Sequence, residues 1–561
     1  MTLGAGIDVG NATTEVVLAR LTDTGPKVVG AGRTATRRAK GSLPSLDGAA
    51  ALVRRLEREH GVAIEAAVVA PLRPVETLTT TLPRPQAWTG RLRVVSAGVS
   101  TAGGRGFGVG RPLRVDGRTV PVADDLVVAV VPAGTGYRSI LPSLQALLAR
   151  NLLAAVLLED DEAVLISNRL SAPVPVVDEV DAGSVLTAAL VAVEVAEPGG
   201  TLRSLTDPLR LISGLGLDEE SRAPAARIAA RLYDVSNAVV AVHGSAAPAA
   251  ELPAGWVEVG TRRLPFTTGH QVIRAAAIGL ASAYALPPQE VRRPVNDLWT
   301  VDLSTVADTV LTRAGAARSQ AIGLAALHAD APYADPAEGL VQRLGVPVQT
   351  VVSEAEAARA GGLSTPSAGD AVVIDLGGGT TDAVYHESAV AAGGGELLTA
   401  SVAALTGATR AAAEWIKRGP AHRVEAPQVL LAEDGSREFL DRPAAREAIG
   451  SLVVRGPAGL LPFHPTMAPG EWRALRLQLK AELIGGNVAR ALRTLGVAPA
   501  AVVVVGGPAG DDEVLSAVSR SLPDDVAVGR GNVAGSLGHR YAVAYGLLCC
   551  AGPDAANPRR H

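Results

Sequence analysis

Two stretches decide how this chain is read: Gly6-Ile7-Asp8-Val9-Gly10-Asn11-Ala12-Thr13-Thr14, and Val373-Ile374-Asp375-Leu376-Gly377-Gly378-Gly379-Thr380-Thr381-Asp382 far downstream. Each is an apolar strand with an Asp inside it, a glycine turn, and then small hydroxyl or amide side chains. Glycines let a turn approach a phosphate closely and present its backbone N–H groups. The short side chains add donors without bulk. An Asp at that place suits magnesium, which dehydrates reluctantly and takes one or two carboxylates plus phosphate oxygens. Alone, such a segment is an ordinary hairpin turn. A facing pair would grip a nucleotide polyphosphate from both sides. A third segment, the strand Ala501–Val505 followed by Gly506-Gly507-Pro508, would bring bare backbone to a purine. Pro508 is suited to open a helix there.

Composition narrows the alternatives. The chain has 561 residues, enough for three or four domains. Apolar residues make up 48% and charged residues 19%, so several cores can be buried. Aromatics are only 3%, which disfavours a sugar-binding or base-stacking surface. The net charge of -4 argues against a general nucleic-acid binder. Lysine occurs only at Lys27, Lys40, Lys417 and Lys480, and none follows a glycine. A Walker A loop needs Gly-Lys-Ser/Thr, so this is not a P-loop NTPase. Cys549 and Cys550 can form neither a disulfide framework nor a four-thiolate zinc site, and read as small apolar residues ending a buried helix. With no signal-like start and no run of 18 apolar residues, a cytoplasmic protein without a membrane span is expected.

Outward from the two segments the pattern is α/β. An amphipathic helix is predicted at about 47–60, ending at Gly61. The Gly-rich stretch Gly103–Gly110 reads as a mobile loop or linker, since no helix pattern follows it. Leu126–Val131, Tyr137–Arg150 and Ala154–Leu158 read as a β-α-β unit running into Glu159-Asp160-Asp161-Glu162. Ala163–Ser167 and Pro175–Val177 read as short strands, and Pro287–Pro294 as a connector. Val346–Val352 reads as a strand, and a helix starts at Ser353-Glu354-Ala355-Glu356. Further helices are predicted at about 222–233, 399–418 and 470–494.

The paired segments and the downstream strand–Gly-Gly element resemble the phosphate-1, phosphate-2 and adenosine motifs of the actin-like ATPase superfamily. The resemblance implies two ribonuclease-H-like lobes with ATP and Mg2+ in the cleft. It implies metal-serving carboxylates at Asp8 and Asp375. Nucleotide contacts are implied at Asn11, Ala12, Thr13, Gly377, Gly378, Gly379, Thr380, Thr381, Gly506, Gly507 and Pro508. Ser353–Ala358 looks like the inter-lobe connection of chaperone ATPases, where an acidic residue orients the attacking water. Glu354 is the candidate; a surface Glu favoured by the helix dipole is the plainer reading. Glu414 and Lys417 share a helix face, where that family frames adenine and ribose. A solvent-exposed ion pair is the alternative.

A closer resemblance is carried by Leu165–Leu170, Pro173–Val180, Gly529–Ser536 and the whole first segment, including Asn11. These are similar to the large subunit of diol/glycerol dehydratase reactivases, with gaps, over essentially the whole chain. That family implies an ATPase core with an inserted α/β swivelling domain: residues 1–78 and 251–369 as lobe I with a connector near 287–315, 79–250 as the insert, 370–530 as lobe II, and 531–561 returning to lobe I. It implies a small partner subunit and, as client, an adenosylcobalamin-dependent dehydratase from which damaged cofactor is released so that intact cobalamin can bind. It also implies a second metal site, for Mg2+ or Ca2+, at Thr101, Asp161 and Asp178. All three supply oxygen, as such ions prefer. This chain is shorter than usual for the family. It has Gly-Gly-Gly-Thr-Thr in the second turn where Gly-Ala-Gly-Ser-Thr is usual, and Pro508-Ala509 in place of two serines. The competing classes are a small-molecule kinase on the same fold, disfavoured by aromatic poverty, and an actin-type filament protein, disfavoured by the large insert.

Overall fold

The computed structural model describes residues 2–72, 75–81, 88–89, 91–98, 102–117, 122–197, 200–232, 235–244, 255–286, 291–310, 321–329, 336–350, 353–465 and 467–551. Residues 1–82, 253–310 and 319–561 form one compact unit, and residues 83–252 with 311–318 a second.

The first unit contains one sheet design twice. Leu3–Val9, Thr13–Thr22 and Gly25–Ala35 form an antiparallel meander, and Ala66–Val69 then Val348–Thr350 extend it in parallel from Leu3–Val9. Val372–Leu376, Thr380–Val384 and Ser388–Ala392 repeat the meander, extended in parallel by Ala501–Val505 and Ala527–Arg530. This is the ribonuclease-H-like order of a two-lobed actin-like core.

Period-two alternation explains where each sheet points. Leu3, Ala5, Ile7 and Val9 pack against Leu46, Leu52, Val53 and Leu56 of the helix Leu43–His60. Gly4 and Gly6 lie on the opposite face, against Leu548 and Ala544 of the helix Ala542–Ala551. Asp8 is next on that same face. In the second sheet Val373 packs with Ala357, Ala358 and Val503, and Asp375 is next on its face. The helix Glu354–Leu363 crosses Ala542–Ala551 with backbone against backbone. A β-carbon on Gly361 would strike the Ala542 carbonyl, and one on Gly546 the Ala357 carbonyl.

The unit also carries an antiparallel six-stranded sheet in the order Arg262–Pro265, Trp256–Val259, Ala281–Ala285, Arg293–Asp302, Ala321–His328, Glu76–Thr81. A small antiparallel sheet spans Arg437–Phe439 to Gly459–His464. In the second unit a nine-stranded sheet is centred on Gly106–Arg114, Val127–Val131 and Leu153–Leu158. The helix Tyr137–Ala149 joins the latter two, which pair in parallel.

Several sequence expectations are corrected. Gly106–Gly110 belongs to a strand, not a mobile loop. Bare glycines are needed there because a β-carbon on Gly108 would strike the Ala154 carbonyl. Ala163–Ser167 is a short helix, not a strand; a five-residue apolar run carries no period that separates the two. The helix expected at 399–418 is two, Gly395–Thr406 and Arg410–Ile416. Gly407 ends the first at φ 70°, and Thr409 caps the second by accepting the Ala412 N–H. Pro469–Leu495 is continuous, with a π-turn at Ala481–Gly485. Cys549 is partly buried and Cys550 exposed, both as free thiols. Of the expected connector near 287–315, residues 287–290 and 311–315 lie outside the described residues, and the rest includes the strand Arg293–Asp302 and the helix Leu303–Val310. Among the described residues, no helix is long and apolar enough to cross a membrane.

Candidate functional site

The two glycine turns have the same local closure. Gly10 donates its N–H to the Thr13 carbonyl and Gly377 to the Thr380 carbonyl, each at 3.0 Å. Their tips meet: a methyl on Gly378 would touch Ala12, and one on Gly379 would strike Asn11 and Val75. Asn11 fixes its own tip by donating Nδ2 to the Val75 carbonyl at 3.1 Å. The second turn is held from behind. Its Gly377 and Gly378 carbonyls accept the N–H groups of Gly395 and Glu396, and its Gly379 carbonyl that of Gly393. Between the turns opens a cavity of about 970 Å³.

Asp8, Asn11, Ala12 and Thr13 line it from the first hairpin, and Asp375, Gly377, Gly378, Gly379 and Thr380 from the second. Thr381 is turned away. It is fully buried, and its Oγ1 donates to the Gly393 carbonyl at 2.7 Å. Alternation along the strand accounts for this, since Thr380 faces the cavity.

The floor is an acid cluster around one lysine. Burial, then Glu354 and Glu15, push Asp8 well above the usual carboxylate range. Burial, then Glu354, push Asp375 up to about 7. Asp382 is raised by burial and then by Asp375, and among the described residues its shielded Oδ1 has no hydrogen-bond partner. Lys40 donates to both oxygens of Glu354, at 3.0 and 3.3 Å. Burial works against the ammonium, but Glu354 and Asp8 outweigh it and keep Lys40 above its ordinary pKa. Carboxylates gathered this closely and left short of donors fit a hard divalent cation, whose charge would favour their ionised forms. Asp8 and Asp375, which line the cavity, are the residues that could serve it through its bound waters; among the described residues no three His, Cys, Asp or Glu side chains are grouped to ligate one ion directly.

The opposite end of the cavity is built by the helix break at Gly407. It turns Arg410–Ile416 back, so that Lys417 donates Nζ to Thr399 Oγ1 at 2.7 Å and to the Gly395 carbonyl at 3.1 Å. Lys417 also pairs with Glu414 at 2.7 Å, with its own side chain only 13% exposed. The Glu414–Lys417 pair is therefore part of the wall. Across from it Gly506, at φ 89°, donates its N–H to the His539 carbonyl. Pro508 opens a single 3₁₀ turn, Gly507–Gly510, instead of an α-helix. Asp511 then caps the helix Asp512–Arg520 while pairing with the fully buried Lys480 at 2.6 Å. A methyl on Gly395 would press on the Pro508 ring, so the two walls touch at their base.

Sequence reasoning missed Lys40, whose role depends on a partner more than three hundred residues away. It also missed a polar row beside Asp8. Glu15 stands opposite Asp8 in the hairpin and Arg33 opposite Glu15. Arg540 reaches Glu15 at 3.4 Å. The period-two face of Val17 and Ala19 includes Glu15, which was the available signal.

The candidate second metal site lies in the other unit. Asp178 is fully buried. Its Oδ2 accepts the Ala163 N–H at 3.0 Å, and among the described residues its shielded Oδ1 has no hydrogen-bond partner. Burial first, and Asp161 further down the order of causes, raise its pKa. Asp161 is exposed. An orphaned buried carboxylate oxygen near a second carboxylate fits an oxygen-liganded cation. Thr101 lies outside the described residues. The neighbouring acids serve the fold: Glu159 accepts the N–H groups of Ala133 and Ala182, and Asp160 that of Gly134.

Residues 280–551 match the diol dehydratase reactivase ATPase-like domain, and residues 94–245 the DD-reactivating factor swiveling domain. The chain is 30% identical over 607 aligned positions to the propanediol dehydratase-reactivating factor large subunit of Citrobacter freundii, covering 97% of this chain and 98% of that one. It is also 30% identical to the diol dehydratase-reactivating factor large subunit of Klebsiella michiganensis, covering 99% of each. Among solved structures, a diol dehydratase-reactivating factor in nucleotide-free form matches at TM-score 0.65 and 28% identity, covering 98% of this chain and 99% of that one. A glycerol dehydratase reactivase matches at TM-score 0.65 and 26% identity, with the same coverage.

Proposed function

The chain belongs to the family of dehydratase-reactivating factor large subunits, and we propose that it is an ATP-driven chaperone that frees an inactivated adenosylcobalamin-dependent dehydratase of damaged cofactor. The observation that carries this reading is the meeting of two phosphate-type turns over Asp8 and Asp375, in a chain that shares the family along its whole length.

In this reading the turns present their N–H groups to the phosphates, and Glu414, Lys417 and Gly506–Pro508 frame the nucleoside. Magnesium, when held through its waters by Asp8 and Asp375, would supply positive charge to the phosphate oxygens. Lys40 adds a fixed cation. Glu354, at the N-terminus of the crossing helix, orients the attacking water. In the structure Lys40 engages Glu354. An arriving phosphate competes for that ammonium and frees the carboxylate. Slow turnover is expected, since such a site gates a conformational change. The small partner subunit and the dehydratase meet protein surface, not a catalytic side chain.

The test pairs this chain with its small subunit and a dehydratase inactivated by an adenosyl-lacking cobalamin. ATP, magnesium and fresh adenosylcobalamin should restore activity, and omitting ATP should prevent recovery. Cobalamin exchange that proceeds equally fast without this protein, across several candidate dehydratases, would overturn the client assignment.

The Asp161–Asp178 pair is proposed to bind a divalent cation that helps dock the small subunit. Removing both carboxylates, Asp161→Ala with Asp178→Ala, should abolish one equivalent of bound metal and weaken small-subunit binding at least about tenfold, while ATP affinity stays within about twofold. Metal analysis and a subunit pull-down at graded concentration read this out. Unchanged metal content and subunit affinity would rule the site out.

A further inference from the structure

The strand Glu76–Thr81 starts at the nucleotide cavity and leads out of the first unit. Val75, immediately before it, lines the cavity and accepts the Asn11 side-chain amide of the first turn. Gly379 of the second turn lies so close to Val75 that a methyl there would collide with it. Both turns therefore bear on the residue that begins the strand.

A second contact comes through the helix Gly395–Thr406. Its first two N–H groups are bonded to the second turn's carbonyls, and its body packs on Glu76–Thr81 and on Ala321–His328. A β-carbon at Gly323 would be crowded by Leu397 and Ser401, which shows how tightly that helix sits on the sheet.

The strand itself is pinned at its first residue. The Glu76 carboxylate accepts Tyr284 Oη at 3.0 Å, His328 Nε2 at 2.6 Å and Arg293 at 3.1 Å. These donors come from three other strands of the six-stranded sheet. Tyr284 is buried and packs edge-on against Phe266. From Glu76 the strand runs six residues in unbroken register with Ala321–Ala326. Two residues after Thr81 the chain enters the second unit. Close-packed elements pass displacements on rather than absorb them.

We propose that Glu76–Thr81 is the relay that carries the state of the nucleotide cavity to the inserted unit, with Glu76 and its three donors as the fixed point about which it works. The proposal deepens the ATP-driven reading and rests on it. Glu76, Tyr284, Arg293 and His328 touch no part of the cavity floor, so they are positioning residues whose loss uncouples the insert without emptying the site.

The experiment is amide hydrogen exchange on the full chain with magnesium and either a non-hydrolysable ATP analogue, AMP-PNP, or ADP. In the wild type, exchange in Leu92–Ala97 and Gly106–Arg114 of the insert should differ at least about threefold between the two nucleotides. Glu76→Gln should shrink that difference below about 1.5-fold, with AMP-PNP affinity within about twofold of wild type. If Glu76→Gln does not fold, Tyr284→Phe removes a single hydroxyl and should at least halve the difference. A full wild-type difference in the folded variant would overturn the relay. So would a wild type that binds both nucleotides yet shows no difference in the insert. A fluorescent-nucleotide titration separates the two levels: a wild type that binds no nucleotide overturns the ATP reading and the relay with it.

Discussion

Replacing Asp375 with asparagine is expected to lower ATP turnover at least about 100-fold, while the nucleotide-free protein melts no lower than the wild type. Both halves follow from one observation. Asp375 is 8% exposed on the floor of the cavity, and burial and Glu354 push its carboxyl up to about 7. Holding a charge there without a cation is unfavourable, so the isosteric neutral amide does the empty protein no harm. In the proposed reading magnesium and ATP reverse the balance, because the lost charge is the one that would serve the metal. Phosphate release under saturating magnesium and a thermal melt without nucleotide measure the two halves. Turnover within about threefold of wild type would remove Asp375 from the metal site.

A buried ion pair elsewhere in the same unit predicts the largest loss of stability. Arg490 and Asp297 are 1% and 2% exposed in their side chains and meet at 2.5 and 3.1 Å. Asp297 also accepts the N–H groups of Ala392 and Gly279, and Arg490 donates to the Leu298 carbonyl over the face of Trp299. Asp297→Ala strands a guanidinium and two amides, and should destabilise the first unit by about 3–5 kcal/mol. The double change Asp297→Leu with Arg490→Met removes both charges and should recover at least half of that loss. Urea unfolding followed by tryptophan fluorescence reads mainly the unit concerned, which carries Trp256, Trp299, Trp415 and Trp472, with only Trp88 in the second unit. A single variant within about 1 kcal/mol of wild type would show that the pair contributes little.

Those two sites differ in how far they could be foreseen. The hairpins announce themselves because a glycine turn after an alternating strand is a local code, and Asp8 and Asp375 are fixed by the same alternation. Lys40 carries no such code, since nothing near it in sequence shows that Glu354 will arrive beside it. Asp297 reads as one more polar residue near a proline-marked segment, although it becomes one of the most enclosed charges in the unit. Local chemistry also misled in places. Apolar Val164, Leu165 and Ile166 read as a strand because so short a run has no resolvable period. The Ala-rich stretch around Gly407 reads as one helix because a single glycine is tolerated in helices, and only the Thr409 cap shows that it is a break.

The crossing of Glu354–Leu363 over Ala542–Ala551 works as a keyed joint. Gly361 and Gly546 bring the two backbones together where side chains would otherwise interdigitate, and Gly6 does the same under Ala544. A step along either helix would set a side chain where only a glycine fits, so the two helices hold one register and move as one body. A single methyl at Gly361 would wedge the joint open.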